Sequence, residues 1–459
     1  MKQINKKLTV LLSLFYILLA SQSLFARQKI AERTIMIYAQ ADSILNSFAA
    51  RNFQSMSTIG SNEDLNIIAQ WNQPQKKGSW RYKIDKNRMT LVDSHNKNSR
   101  RNFSKDLIDF AHFVAKNYPA KSYILVLWNH GCGILDPEWD QLHNFAINPA
   151  TLGAIPRFQI EGEICETRDQ SQECTVYDTC DEDIIFNDLF CSEYLQESLC
   201  SDVRGILFDI ANRNYLTNQG LTDALNYITK NIIKKKFEII GMDACLESMF
   251  EMHYQIKDVA HYAVMSEEVE LAHGWNYTKF LDAVASNKIE TQDIAKSIVY
   301  TFGDFYRGRT RFYTQSAIDL SGVEFLKENL DQIVSNIILC KQNNSQTISK
   351  AIKAARKECF QLSVPFYVDL HSFYSKLKKN LDKIKNIKSK EFKNLKKSVS
   401  NGIQLINNVV IANVSSNYLS RAKGISIYFP YPTKNIDQSY LKTSFVQDSL
   451  WLEFLQQVS

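Results

Sequence analysis

Short apolar runs alternate along this chain with stretches whose apolar positions recur every three to four residues. Thr34-Ile35-Met36-Ile37-Tyr38 and Leu65-Asn66-Ile67-Ile68-Ala69-Gln70 have the length and β-branched content of strands, and a helical pattern occupies 43–56 between them. A second helical stripe, Leu107, Phe110, Ala111 and Val114 within 106–116, leads into the apolar run Tyr123-Ile124-Leu125-Val126-Leu127-Trp128. The alternation resumes with Gly205-Ile206-Leu207-Phe208-Asp209, a helical stretch at 221–230, and Phe237-Glu238-Ile239-Ile240-Gly241-Met242. Apolar strands separated by amphipathic helices predict an α/β fold, a mostly parallel sheet covered by helices on both faces. Ligands of such sheets collect at the carboxyl ends of the strands.

Two of these ends carry reactive side chains. The run at 123–128 opens into Asn129-His130-Gly131, and the run at 237–242 into Asp243-Ala244-Cys245. Both groups follow a strand directly, so both can reach one sheet edge although they lie 115 positions apart. A thiol needs a partner that takes its proton and later protonates a leaving group, and imidazole does both near neutrality. Taken singly, Cys245 reads as a buried core thiol and His130 as a satisfied core histidine; it is the pairing of motifs that turns the reading toward catalysis. Asp243 can act on a substrate or cap a helix starting near Cys245, whose N-terminus would then lower the thiol pKa. Trp128 and Trp275 read as packing residues.

The first residues add a compartment. Lys2, Lys6 and Lys7 precede an apolar stretch at 8–20, and Ser23-Leu24-Phe25-Ala26 offers a cleavage point, so 1–26 reads as a signal peptide. That stretch falls short of the roughly 20 residues a spanning helix needs. No second stretch of spanning length follows, so the processed protein is expected to carry no integral membrane span and to be secreted, periplasmic or held at the cell surface. A chain of 459 residues with 45% hydrophobic and 22% charged content can bury a large core. The net charge of +5 is modest and reflects ten lysines gathered in 375–397, an expected amphipathic basic helix with a solvated face. A nucleic-acid partner is not indicated. With no phosphate-cradling glycine loop and no Cys-x-x-Cys pair, no cofactor is called for. Calcium is the one ion left open, through Asp178, Asp181, Glu182, Asp183 and Asp188, but their spacing fits no EF-hand and a solvated loop is preferred.

Nine cysteines in an exported chain leave one thiol over if all others pair, and Cys245 is the candidate. Cys165, Cys174, Cys180, Cys191 and Cys200 crowd a weakly periodic segment at about 140–203, which reads as an insertion or activation loop. Cys132 is placed as partner of the fifth of these or as a buried thiol, and Cys340 with Cys359 form a separate candidate pair.

Several motifs in sequence order resemble the clostripain (C11) family of the caspase-like clan of cysteine peptidases. They are Tyr38-Ala39-Gln40-Ala41-Asp42-Ser43, Leu127-Trp128-Asn129-His130-Gly131-Cys132-Gly133, and Gly241-Met242-Asp243-Ala244-Cys245-Leu246. Ser266-Glu267-Glu268-Val269-Glu270 with Gly274-Trp275-Asn276-Tyr277, then Ser316-Ala317-Ile318-Asp319-Leu320 and Gly424-Ile425-Ser426-Ile427-Tyr428-Phe429-Pro430, continue the series. The resemblance implies a caspase-like α/β/α sandwich, a peptidase domain at 27–310 carrying the Cys-rich insertion, and a C-terminal α/β subdomain at 311–459. It implies an endopeptidase that cuts proteins or peptides after arginine or lysine; a monomer is expected. Cys245 would be the nucleophile, His130 the general acid and base, and the amides of Gly131 and Cys245 an oxyanion hole. Gly131 would spare the substrate backbone a collision with a side chain. Asp243 would floor the specificity pocket. His273 stands where an acid is expected, with Glu267 and Glu268 either compensating or serving as surface acids. Family members are often activated by cleavage in the loop between histidine and nucleophile; within 140–205 the basic residues are Arg157, Arg168 and Arg204, the candidate self-cleavage points. The alternatives are a peptidase of the same clan with non-basic specificity and a catalytically inactive secreted binding protein.

Overall fold

The computed structural model describes residues 30–41, 45–74, 76, 78–95, 102–136, 160–161, 206–209, 214–285, 289–431, 433 and 436–458. The first half runs β1 (Ala31–Gln40), α1 (Asn46–Ser57), β2 (Leu65–Asn72), β3 (Ser79–Asp85), β4 (Arg88–His95), α2 (Phe103–Asn117) and β5 (Ala120–Trp128). After β6 (Ile160–Glu161) come β7 (Ile206–Asp209), β8 (Asn214–Leu216), α3 (Asn218–Tyr227), β9 (Phe237–Asp243), α4 (Phe250–Ile256) and β10 (Ala260–Met265). Then follow α5 (Tyr277–Ala285), α6 (Thr291–Tyr306), β11 (Thr314–Asp319), α7 (Val323–Glu358), β12 (Tyr367–Asp369) and α8 (Leu370–Asp382). The last elements are α9 (Lys390–Val409), β13 (Val410–Ser415), β14 (Ser426–Tyr428), α10 (Ser444–Asp448) and α11 (Trp451–Val458).

One large sheet organises these elements, in the order β13-β11-β10-β9-β5-β1-β2-β3-β4-β6. Its centre, β2-β1-β5-β9-β10, is parallel, and antiparallel strands extend it on both sides. The central strands are buried on both faces, which is why they appear in the sequence as unbroken apolar runs. Alternate residues then divide the core. Ile35, Ile37, Ile124, Val126 and Ile239 pack with α1, α5 and α6, whereas Met36, Tyr38, Leu125, Leu127 and Ile240 pack with α2, α3 and the C-terminal helices. This is the expected α/β/α sandwich.

Four expectations are corrected. The segment 206–209 does not extend the central sheet; β7 pairs antiparallel with β8 in a separate ribbon lying against the loop after β5. The lysine-rich stretch is two helices, because Ser389 accepts from the Phe392 amide at 3.2 Å and starts α9 anew after α8 ends at Asp382. Both helices pack on α7. The boundary at 311 runs through the sheet, since β11 and β13 supply one edge of it. Cys340 and Cys359 are unbridged, buried thiols. They flank a kink at Asn344 in α7, one about a turn before it and the other about four turns after. No bend there brings them within the ~7 Å a disulfide needs.

Residues 1–26 and most of the Cys-rich insertion, with Arg157, Arg168, Arg204, Cys165, Cys174, Cys180, Cys191, Cys200 and the acids at 178–188, lie outside the described residues. Among the described residues no helix is long and apolar enough to cross a membrane.

Candidate active site

The parallel register of β5 on β9 pairs Trp128 with Asp243. The pairing persists one residue further, where the Asn129 amide donates to the Asp243 carbonyl at 3.4 Å. His130 and Cys245 each stand two residues past this last pair, so they leave adjacent strands in the same row. His130 borders the point between β1 and β5 where strand order reverses, and Cys245 stands one strand further along the same edge. The Asn129 side chain donates to the Gln40 carbonyl at the end of β1 and pins this loop. A Cβ at position 131 would lie 2.7 Å from the Cys245 carbonyl oxygen and 2.4 Å from Glu247 Oε1. Glycine is therefore required there by the nucleophile turn itself, a closer constraint than the substrate clearance the sequence suggested.

His130 is buried, and its Nε2 has no hydrogen-bond partner among the described residues. Burial disfavours the cation and lowers its pKa to about 4, so the imidazole is a neutral base at physiological pH. The β7 ribbon lies over the loop, with the Leu207 amide donating to the His130 carbonyl at 3.3 Å.

Cys245 does not begin a helix. After Asp243 the chain turns sharply through Leu246 at φ +63°, and α4 starts only at Phe250. The Leu246 amide donates to the Glu268 carbonyl (3.1 Å) and the Ser248 amide to the Ser266 carbonyl (2.8 Å), tying the turn to the end of β10. The expected helix cap by Asp243, and a helix N-terminus lowering the thiol pKa, are thus absent. The sulfur instead meets the backbone of Glu270, whose N–H donates to Sγ at 3.2 Å while Sγ faces its carbonyl at 3.5 Å. The thiol is 1% exposed.

Asp243 is buried beside this thiol and accepts from Tyr277 Oη at 2.7 Å and the Trp275 amide at 3.2 Å. Gly274, at φ +63°, lets that loop lie on the carboxylate; a Cβ there would be 2.4 Å from Asp243 Oδ2. Burial raises Asp243 to about 6 against these donors. Glu270 adjoins it, raised further by burial and then by the charges of Asp243 and Cys245, and Gln315 Nε2 donates to its Oε1 at 3.1 Å. Two buried carboxyls in contact cannot both ionise, so the pair holds a proton between them.

The acid that adjoins Asp243 is Glu270, which the sequence reading did not single out. His273 packs its ring edge-on against Phe48, centroids 5.1 Å apart. Glu267 and Glu268 are neither surface acids nor neighbours of Asp243. Glu267 accepts from the Gly424 amide at 2.8 Å and shares a side-chain hydrogen bond with Asp369, and Glu268 accepts from the Ser363 amide at 3.0 Å. Both hold the C-terminal third. Trp275 stacks on Tyr277, with both rings buried, as a packing residue does.

The described residues hold no cluster of His, Cys, Asp and Glu that could bind a metal ion. What they juxtapose is a thiol, a neutral imidazole and a proton-sharing pair of acids at one sheet edge. The sequence matches the Clostripain family over residues 37–145 and 176–457. The fold is similar to a secreted C11 cysteine protease from Bacteroides thetaiotaomicron in complex with an irreversible peptide inhibitor. That likeness is 14% identical, covers 92% of this chain and 99% of that one, and has a TM-score of 0.58. It is also similar to an inactive zymogen C11 protease from Parabacteroides distasonis, at 17% identity, with 94% and 98% of the chains covered and a TM-score of 0.53. The curated proteins give no match. On the family match, which spans most of its length, this chain belongs to the clostripain family and is a cysteine peptidase.

Proposed function

We propose that the protein is an exported endopeptidase that cuts after arginine or lysine and is made as a proenzyme. Cys245 is the nucleophile and His130 the general acid and base. The observation that carries this reading is the β5–β9 register, which delivers both groups from adjacent strand ends in the same row. His130, neutral at rest, takes the Sγ proton as sulfur attacks the scissile carbonyl, then gives it to the leaving amine. Water hydrolyses the thioester with the same imidazole as base. The amides of Gly131 and Cys245 are the proposed donors to the carbonyl oxygen as it gains charge. No cofactor enters these steps.

Specificity follows from Asp243 and Glu270. A guanidinium or ammonium entering between them displaces the shared proton and gives each carboxylate a charge-assisted bond, whereas a neutral side chain leaves that proton shared and gains nothing. The proenzyme reading is supported by the burial of both His130 and Cys245 and by the likeness to an inactive zymogen. Arg168, Arg157 and Arg204 are the candidate cleavage points.

Fluorogenic peptides differing only at the residue before the scissile bond test the whole reading. Arginine or lysine substrates are expected to be cleaved and neutral ones not, with Cys245→Ala and His130→Ala both inactive. Cleavage by Cys245→Ala, or preference for a neutral residue, overturns it. N-terminal sequencing of wild type and Cys245→Ala shows signal removal in both and cleavage between His130 and Cys245 in wild type alone.

A further inference from the structure

Glu247 lies two residues past Cys245 and has no part in the chemistry above, yet its side chain is fully buried in the histidine loop. Oε1 accepts from the Gly133 amide at 3.3 Å, and the Cys132 amide donates to the same carboxyl. This is the oxygen that a Cβ at position 131 would strike at 2.4 Å. Two residues on, Met249 Sδ lies 3.2 Å from the Ile134 amide. The turn that carries the nucleophile therefore grips residues 131–134 from beneath, and Glu247 supplies the polar part of the grip. Its Oε2 is buried with no partner among the described residues.

Among the described residues, the titratable groups of the segments packed around it are His130 and Cys132 from the loop after β5, Cys245 from its own turn, and Tyr367 of β12. Tyr367 donates its hydroxyl to the Cys132 carbonyl at 2.8 Å. None of these supplies a positive charge at neutral pH. Burial accordingly holds the Glu247 carboxyl protonated up to about pH 8, with the two amides opposing.

We propose that Glu247 is a positioning residue of the peptidase: it clamps residues 131–133 to the nucleophile turn and so sets the His130 imidazole and the Gly131 amide against Cys245. The proposal rests on the assignment of Cys245 and His130 made above. It adds a pH dependence that the Cys-His pair alone does not require. Above neutrality, ionisation places an uncompensated buried charge in the clamp, and the loop must loosen to solvate it.

The test uses the processed enzyme and its Cys245→Ala, Glu247→Gln and Glu247→Ala variants. Folding is followed by thermal melting, and site competence by stoichiometric alkylation of Cys245 with a basic chloromethyl ketone. Kinetics are read on a basic peptide amide from about pH 6 to about pH 10. Glutamine keeps an oxygen acceptor and cannot ionise. Glu247→Gln is expected to retain kcat within about threefold at neutral pH and to lose the alkaline fall in kcat, while Glu247→Ala loses at least about tenfold in kcat with KM nearly unchanged. A Glu247→Ala enzyme with wild-type kcat, or a Glu247→Gln enzyme whose alkaline fall matches wild type, overturns the proposal. Should Glu247→Ala not fold, the Glu247→Gln profile decides alone. Activity in Cys245→Ala would condemn the assignment of the site rather than the role of Glu247.

Discussion

Side chains in this site differ in how visibly the sequence displays them. His130 and Cys245 could be found because each ends an apolar run, and the sequence pattern locates such ends well. Glu270 could not, because it is the third acid in Glu267-Glu268-Val269-Glu270, a stretch past the end of β10 with no periodicity to say where each points. One of the three reaches Asp243 and the other two reach the C-terminal third, a distinction made only by tertiary packing. Three predictions belong at this scale. Asp243→Asn should lower kcat/KM for an arginine substrate by about 2–3 kcal/mol, a charged hydrogen bond in a buried site, while leaving turnover of a neutral substrate nearly as poor as before. Glu270→Gln should act the same way, and parallel kcat/KM series over arginine, lysine and glutamine substrates check both. Gly131→Ala should abolish turnover without unfolding the protein, because its methyl can be relieved only by parting the histidine loop from the nucleophile turn. Circular dichroism alongside kinetics reads the two effects separately.

At the scale of elements, local propensity foresaw the strands and misjudged their company. The run at 206–209 has strand composition, but nothing in it specifies a ribbon over the histidine loop rather than a place in the sheet; Leu207, at φ +57°, marks the departure. Lysine-rich 375–397 keeps helical spacing across its break, so periodicity alone merges α8 with α9, and the stop is set by Ser389. The cysteines give a further test. Cys340 and Cys359 should both be alkylated in denaturant without reductant and both resist alkylation in the native protein near pH 8. Burial raises each thiol to about 11, leaving little thiolate even before access is considered. Peptide mapping by mass spectrometry decides it, and a bridge between the two would contradict the helix that separates them.

At the scale of the molecule, buried acids among the described residues outnumber the buried bases that could answer them. Glu247 is raised to about 8, Glu251 to about 7 and Asp369 to about 6, each chiefly by burial, and Glu267 and Glu270 lie well above the carboxylate range for the same reason. The folded state thus retains protons that the unfolded chain releases above about pH 4.5, and stability falls as pH rises through the folded values. His130 and His253, lowered by burial to about 4 and about 3, act in the opposite sense. Their stabilisation is complete above the unfolded histidine pKa of about 6.5 and declines below it. Between about pH 6.5 and about pH 8 the acids dominate the change, before the unfolded thiols begin to ionise, so the melting temperature should drop steadily across that window. A flat profile there would mean that water reaches these carboxyls. Glu247→Gln should remove part of the slope.

The edge strand β13 carries a consequence for how the chain comes into being. Residues 410–415 complete a sheet whose other members begin at residue 31, and α11 seals the same core beyond them. During synthesis the thiol at 245 is therefore made long before the sheet that will orient it can close. A polypeptide stopped at 310 should aggregate rather than form a smaller working peptidase, since it lacks two sheet strands and the cover of one face. Hydrolytic power in this protein is therefore expected only after residues 410–458 have been added.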